Sequence, residues 1–169
     1  SLVYQEIKNV FNEEDYPDVE IKPYPTLCFS DDKKAIWFEK RIENLKKKYD
    51  KIVFLGSWCF ASRLTKKSSL IDVIVLDHCL EMFLNKEIIF HLIAKKNYLV
   101  TKGWLKELKH HKEKWGFDSE TAKRFFHEST EGIVLLDTGS NEDYTEKLEE
   151  LSEYMGVAYT TLPVGLSFC

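Results

Sequence analysis

Glycine and proline are scarce in this chain, 7 and 4 among 169 residues, and methionine occurs only twice. So few breakers exclude a collagen-like, Pro-rich or low-complexity polypeptide. No apolar run approaches the roughly 18 residues that a membrane span needs, and none is expected. The opening Ser1-Leu2-Val3-Tyr4-Gln5-Glu6 has neither a basic segment nor a long apolar one, so no secretory leader is expected and a cytoplasmic location is. The four cysteines, Cys28, Cys59, Cys79 and Cys169, form no C-x-x-C pair and stand too far apart for a small disulfide scaffold. They read as free thiols or partly as ligands in a reducing compartment. Positive charge is in deficit: Lys+Arg is 24 against Asp+Glu 28, a net charge of −4. That balance argues against nucleic acid as a partner. G-x-G-x-x-G, Walker A and H-E-x-x-H motifs are all missing, which disfavours a standard dinucleotide or nucleoside-triphosphate site.

What is present is a patterned globular chain, 44% hydrophobic and 31% charged. Leu2 to Asn12 places Val3, Ile7, Val10 and Phe11 at helical spacing. Val19 to Lys22 alternates like a strand, ended by Pro23 and Pro25. Asp31 or Asp32 can cap a helix running to about Tyr49, with Ile36, Trp37, Lys40, Ile42 and Leu45 forming a face and its edge. Four apolar runs read as strands: Ile52 to Leu55, Val73 to Leu76, Tyr98 to Val100, and Ile133 to Leu136. Between and after them, Cys79 to Ala94, Lys102 to Lys114, Ser119 to His127 and Asn141 to Tyr154 read as helices. Gly156 then ends the last of these, and Val157 to Thr161 reads as a final strand. Apolar strands alternating with helices predict one α/β domain over 1–169. It is a Rossmann-like three-layer sandwich on a mostly parallel sheet of about five or six strands.

In such a fold, ligands sit outside the carboxyl ends of the strands. Four strand ends carry polar or reactive groups: Ser57-Trp58-Cys59, Asp77-His78-Cys79, Thr101-Lys102-Gly103-Trp104 and Asp137-Thr138-Gly139. A parallel sheet is expected to bring them to one edge. Asp77, His78 and Cys79 are potential ligands in a row, and Cys59 on the neighbouring strand end adds another thiol. Thiolate and imidazole suit zinc and similar metals, so Cys59, His78 and Cys79 form a candidate metal set. The plainer alternative makes Asp77 a helix cap and Cys79 a small core residue. Cys59 opens a C-x-x-S at a helix start, where its pKa would fall, but Arg63 comes too soon for a cysteine-phosphatase loop. Asp137-Thr138-Gly139 resembles an aspartic-protease triplet, yet that chemistry needs two such triplets on all-β lobes. Gly139 then serves a turn, with Ser140 or Asn141 capping the next helix, while Thr138 stays available to a ligand. Trp104 either stacks on a flat ligand or fills the core. Lys102, Lys106, Lys109, His110, His111, Lys112 and Lys114 make a basic helix. Glu142, Asp143, Glu146, Glu149, Glu150 and Glu153 make an acidic one. Both read as solvated faces.

Taken in order, several motifs resemble the domain-of-unknown-function family sixteen thirty-eight. They are Tyr49 to Gly56 with Cys59 after it, His78-Cys79, Tyr98 to Thr101 with Gly103-Trp104, and Leu136 to Gly139. The similarity covers roughly Val3 to Leu166. The family has His-Asp-Cys where this chain has Asp77-His78-Cys79, a Gly-rich turn in place of Phe60-Ala61-Ser62, and Pro in place of Lys102. It also opens with a further cysteine-bearing strand, so the chain is expected to be a divergent member or a fragment lacking that strand and the extreme C-terminus. Members are often encoded near corrinoid-dependent methyltransferases in anaerobic archaea and bacteria. The resemblance implies an accessory or sensory domain linked to one-carbon metabolism. Its ligand would be a small molecule, metal ion or corrinoid-related group, and its partner a methyltransferase or signalling protein. The expected ligand-binding residues are Cys59, Asp77, His78, Cys79, Thr101, Trp104, Asp137 and Thr138. Two alternatives stand beside this reading. One is an enzyme using Cys59 as nucleophile or His78 as base. The other is an interaction domain whose strand ends are plugged by Trp58 and Trp104.

Overall fold

Among the described residues, five short runs rich in aliphatic and β-branched residues become strands, and their pairings are parallel. The computed structural model describes residue 4 and residues 16–24, 32–58, 68–139 and 143–164. The chain divides into two compact units, Tyr24–Glu81 and Ser1–Pro23 with Met82–Cys169. The expected helix over Leu2 to Asn12, apart from Tyr4, and the helix start expected at Cys59 lie outside the described residues.

In the smaller unit, helix α1 (Asp32–Lys46) packs on strands β1 (Ile52–Ser57) and β2 (Ile71–Leu76). The register pairs Ile52 with Ile71 and Ser57 with Leu76, so the two carboxyl ends finish together. Strand periodicity sends Ile52 and Phe54 to the helix side, where Phe38 and Ile42, one turn apart on α1, meet them. The rings of Phe38 and Phe54 are 5.7 Å apart, and the Tyr24 hydroxyl donates to the Leu55 carbonyl at 2.7 Å. Of the residues expected to form the face and its edge, Ile42 is buried whereas Ile36 and Trp37 are exposed, and Arg41 lies over the Trp37 ring at 5.2 Å. The face turns about Phe38, which the sequence pattern had not singled out.

In the larger unit the strand order is β3 (Asn97–Thr101), β4 (Gly132–Asp137), β5 (Tyr159–Pro163). Strand β4 is central, and Ile133 to Leu136 are all buried, as a run without polar alternation requires. Helices α3 (Lys102–Lys106), α4 (Leu108–Trp115) and α5 (Ser119–Ser129) lie between β3 and β4, and α6 (Thr145–Met155) joins β4 to β5. Leu105, Leu108, Phe126, Leu151 and Met155 on these helices close the core with Val100 and Ile133. The fold is α/β with parallel strands, Rossmann-like in its alternation. Among the described residues, the ladders form a two-stranded and a three-stranded sheet.

Local chemistry moves several boundaries. The stretch from Cys79 to Ala94 is not one helix. A 3-10 turn (Cys79–Met82) precedes α2 (Lys86–Ala94), because Asn85 caps α2 by accepting from Glu87 N at 2.8 Å. The basic stretch breaks at Glu107, whose N–H reaches back to the Trp104 carbonyl at 3.1 Å and tightens the turn. The alternating segment at Val19 has no regular structure, since no described strand pairs with it. The last strand begins at Tyr159, two residues later than the pattern suggests.

Gly156 ends α6 with φ +70°, and a Cβ there would lie 3.0 Å from the Lys123 side chain. Gly156→Ala is therefore expected to cost more than about 1 kcal/mol. Leu151→Ala, at a fully buried position, is expected to cost about 2–5 kcal/mol. Urea unfolding of the two variants beside wild type checks both values.

Candidate functional site

In the larger unit, the parallel register sets Thr101 opposite Leu136 and Asp137 opposite Pro163. The carboxyl ends of the three strands therefore form one edge, and β4 ends at its centre. Thr101 is buried, and its Oγ1 accepts from Trp104 N at 3.2 Å, which starts α3. The next residue, Lys102, turns its ammonium onto Asp137 Oδ1 at 2.7 Å, with its side chain only 10% exposed. Charged Lys is rarely buried without a partner, so this pair is a condition of placing Lys102 here. The sequence reading had assigned Lys102 to a solvated basic face. Its position immediately after a buried strand was the available signal.

Asp137 Oδ1 also accepts from Gly139 N at 3.0 Å, and Gly139 takes φ +76° to close that turn. The hydrogen bond from Lys102, supported by that from Gly139, holds the Asp137 carboxyl below its ordinary 3.8. Both bonds use Oδ1, so Oδ2 remains open on a half-exposed side chain. On the next residue, the Thr138 hydroxyl oxygen is buried and has no hydrogen-bond partner. An unsatisfied buried hydroxyl costs about 1–3 kcal/mol. Asp143 accepts from both the N–H and the hydroxyl of Thr145, at 2.9 and 2.7 Å, just ahead of α6, whose N-cap Tyr144 makes no side-chain cap bond. Ser140 and Asn141, the expected caps, lie outside the described residues.

Trp104 does not present an open ring. The His111 imidazole stacks on it at 4.3 Å and 8°, and Tyr98 meets it edge-on at 5.7 Å. Of the two readings for Trp104, packing within the chain is the one built here. His111 Nε2 is buried without a partner, and burial together with the nearby His110 lowers the ring's pKa. Burial also pushes the Tyr98 hydroxyl up to about 12. The basic and acidic helices are not merely solvated, since Lys112 of α4 bridges to Glu150 of α6 at 2.8 Å and lies over the Tyr154 ring at 4.6 Å.

In the smaller unit, Asp77 is exposed while His78 and Cys79 are half-buried at the 3-10 turn. His78 N donates to Glu81 Oε1 at 2.7 Å, and His78 Nδ1 accepts from Leu80 N at 3.2 Å. Burial lowers its pKa, and with Nδ1 accepting, a neutral ring carries its proton on Nε2. A ligating imidazole needs the reverse, with the second nitrogen donating while the first binds. In this arrangement the His78 imidazole does not fit as a ligand to a metal ion or a corrinoid. Among the described residues, no group of three His, Cys, Asp or Glu side chains is placed to hold a metal ion. Cys59, the remaining member of the expected set, lies outside the described residues.

Two pH effects follow from these geometries. Asp137 has a depressed carboxyl pKa, so its contribution to stability is present above 3.8 and is lost as pH falls through the lower folded-state value. The stability gap between wild type and Asp137→Asn should therefore narrow below pH 3.8, as read by denaturant midpoints against pH. His111 shifts the same way for a base: the unfolded ring takes its proton first, so acidification below 6.5 costs stability until the folded ring also titrates. Side-chain NMR should place its midpoint below 6.5.

The family model described as Protein of unknown function (DUF1638) matches residues 37–169, well over half of the chain and inclusive of every strand. No curated protein and no solved structure matches. The match carries the strand-end residues Thr101, Lys102, Asp137 and Thr138, and the chain belongs to the DUF1638 family.

Proposed function

We propose that this chain is a ligand-binding accessory domain whose site lies at the carboxyl edge of β3–β4–β5. One observation carries the reading. A nearly buried Lys102 is paired with the half-exposed Asp137 where the central parallel strand ends, and the next residue, Thr138, carries a buried, unpartnered hydroxyl. Open α/β sheets bind small molecules at that edge. Asp137 Oδ2, which the bonds from Lys102 and Gly139 leave open, is a group that a ligand can meet there. The ligand class is a small polar molecule held by Lys102, Asp137 and Thr138. Thr101 sets the turn that aims Lys102.

The family resemblance supplies a setting for this activity, an accessory or sensory role beside corrinoid-dependent methyl transfer in one-carbon metabolism. Within that setting the domain binds a small metabolite and reports it to a methyltransferase or signalling partner. The geometry of His78 favours such a metabolite over a metal ion or a corrinoid held through this histidine.

A thermal-shift screen of the full chain against a metabolite panel, with hydroxocobalamin and zinc included, tests the reading. A true ligand at a hundred times its dissociation constant adds about 2.7 kcal/mol of stability. The expected result is a metabolite that raises the wild-type melting temperature and leaves that of Lys102→Met unmoved. Hydroxocobalamin or zinc as the only stabilising additions, with Lys102→Met responding as wild type does, would reject it.

A further inference from the structure

Strand β5 ends the sheet of the larger unit, and its backbone polarity shows what could extend that sheet. Ile133 N donates to the Ala158 carbonyl at 2.9 Å, and Val164 N donates to the Asp137 carbonyl at 2.8 Å. These two bonds fix the parity of the parallel ladder. Ala158, Thr160, Leu162 and Val164 turn their backbone groups to β4, and Tyr159, Thr161 and Pro163 turn theirs outward. Among the described residues no strand pairs with that outer side. Tyr159, Thr160, Thr161 and Pro163 are all exposed. Pro163 has no N–H to give, and at an outward position its loss removes no bond from the ladder. The outer side therefore offers the N–H groups of Tyr159 and Thr161 and the carbonyls of Tyr159, Thr161 and Pro163. Exposed edges are commonly guarded by charged side chains. This one is not: Gly156 to Val164 carries no charged residue in a chain that is 31% charged.

We propose that β5 pairs antiparallel with β5 of a second copy of this chain, about a two-fold axis at Thr161. In that register each Thr161 N–H donates to the carbonyl of the other Thr161, and each Tyr159 N–H donates to the other copy's Pro163 carbonyl. Every outward N–H of both strands is then satisfied. The Tyr159 carbonyl, opposite the N–H that proline lacks, stays with water at the exposed end. This match of donors to carbonyls is a property of the strand with itself, which selects a second copy over an unrelated extended segment. Thr161 meets Thr161 across the axis, a favourable cross-strand pair, and no like charges are opposed. The contact closes as a two-fold dimer and joins two three-stranded sheets into one. Antiparallel pairing sends the two carboxyl edges to opposite ends of the joined sheet, so the candidate site of each copy stays open.

Thr161→Lys in the full chain tests this. It sets two ammonium groups opposite each other in the dimer and alters only an exposed position in a single copy. Sedimentation of the wild type from about 1 μM to about 1 mM should show a monomer–dimer equilibrium. Thr161→Lys, with an unchanged circular dichroism spectrum, should raise the dissociation constant about tenfold or more. A wild type that stays monomeric across that range overturns the proposal. So does a folded Thr161→Lys that dimerises as the wild type does. If Thr161→Lys misfolds, Thr161→Cys decides. Directly opposed residues of such a pair stand about 5.5 Å apart at Cα, within disulfide reach. Copper phenanthroline should then link the two copies through the substituted positions, as mapped by mass spectrometry, and should not do so in Tyr159→Cys. Absence of that link, or an equal link in Tyr159→Cys, overturns the proposal.

Discussion

A parallel strand buried on both faces has nowhere along its length to place a polar side chain. β4 imposes that constraint on the larger unit. Ile133 to Leu136 are covered on either side, so polar chemistry is displaced to the strand's two ends. At the amino end stands Gly132, where a Cβ would come within 3.3 Å of the Ala158 carbonyl, so the residue is chosen for close approach to β5. At the carboxyl end stand Asp137 and Thr138, flanked by the ends of β3 and β5. The position of the candidate site is thus a consequence of how the core is made.

Lys102 answers to the same constraint. Its backbone begins α3 at the tip of β3, capped by Thr101, and its side chain has little water around it. Taking an ammonium out of water is recovered only with a partner close by and well oriented. Asp137 meets that condition because β3 and β4 are in parallel register, which brings the residues just beyond Thr101 and Leu136 to the same edge. The pair is therefore tied to strand register, and a slip of one residue would separate it. Thr138 contrasts with this economy. Its buried hydroxyl is left without a partner, a cost that stability alone does not explain.

Away from that edge, aromatic packing holds the helices in place. Tyr98, Trp104, Trp115 and Phe126 join β3, α3, α4 and α5 through ring contacts of 5.1 to 6.2 Å, and His111 stacks on the Trp104 indole. The charged faces of α4 and α6 meet at Lys112 and Glu150. An exposed pair of this kind contributes at most about 1 kcal/mol, so it orients the helices more than it stabilises them.

Much of this was legible in the residues. Apolar runs of strand length, separated by helical stretches, are enough to specify parallel α/β architecture, because nothing else buries them. They placed four strands within two residues of their ends. Gly156 was readable as a helix stop, and Asp137 and Thr138 as strand-end polar groups. Other features were not readable. The breaks at Asn85 and Glu107 depend on hydrogen bonds of a turn or less that compete with a helix of equal propensity. Trp104 met its stacking partner in His111, seven residues on across a turn that periodicity did not reveal. His78 offered ligand chemistry in the sequence and spends it on its own backbone in the fold. Lys102 looked like one of many surface lysines until strand register set it against Asp137. Local pattern determines which residues must be buried; which polar groups meet is decided by non-local register, and that exists only once the strands are paired.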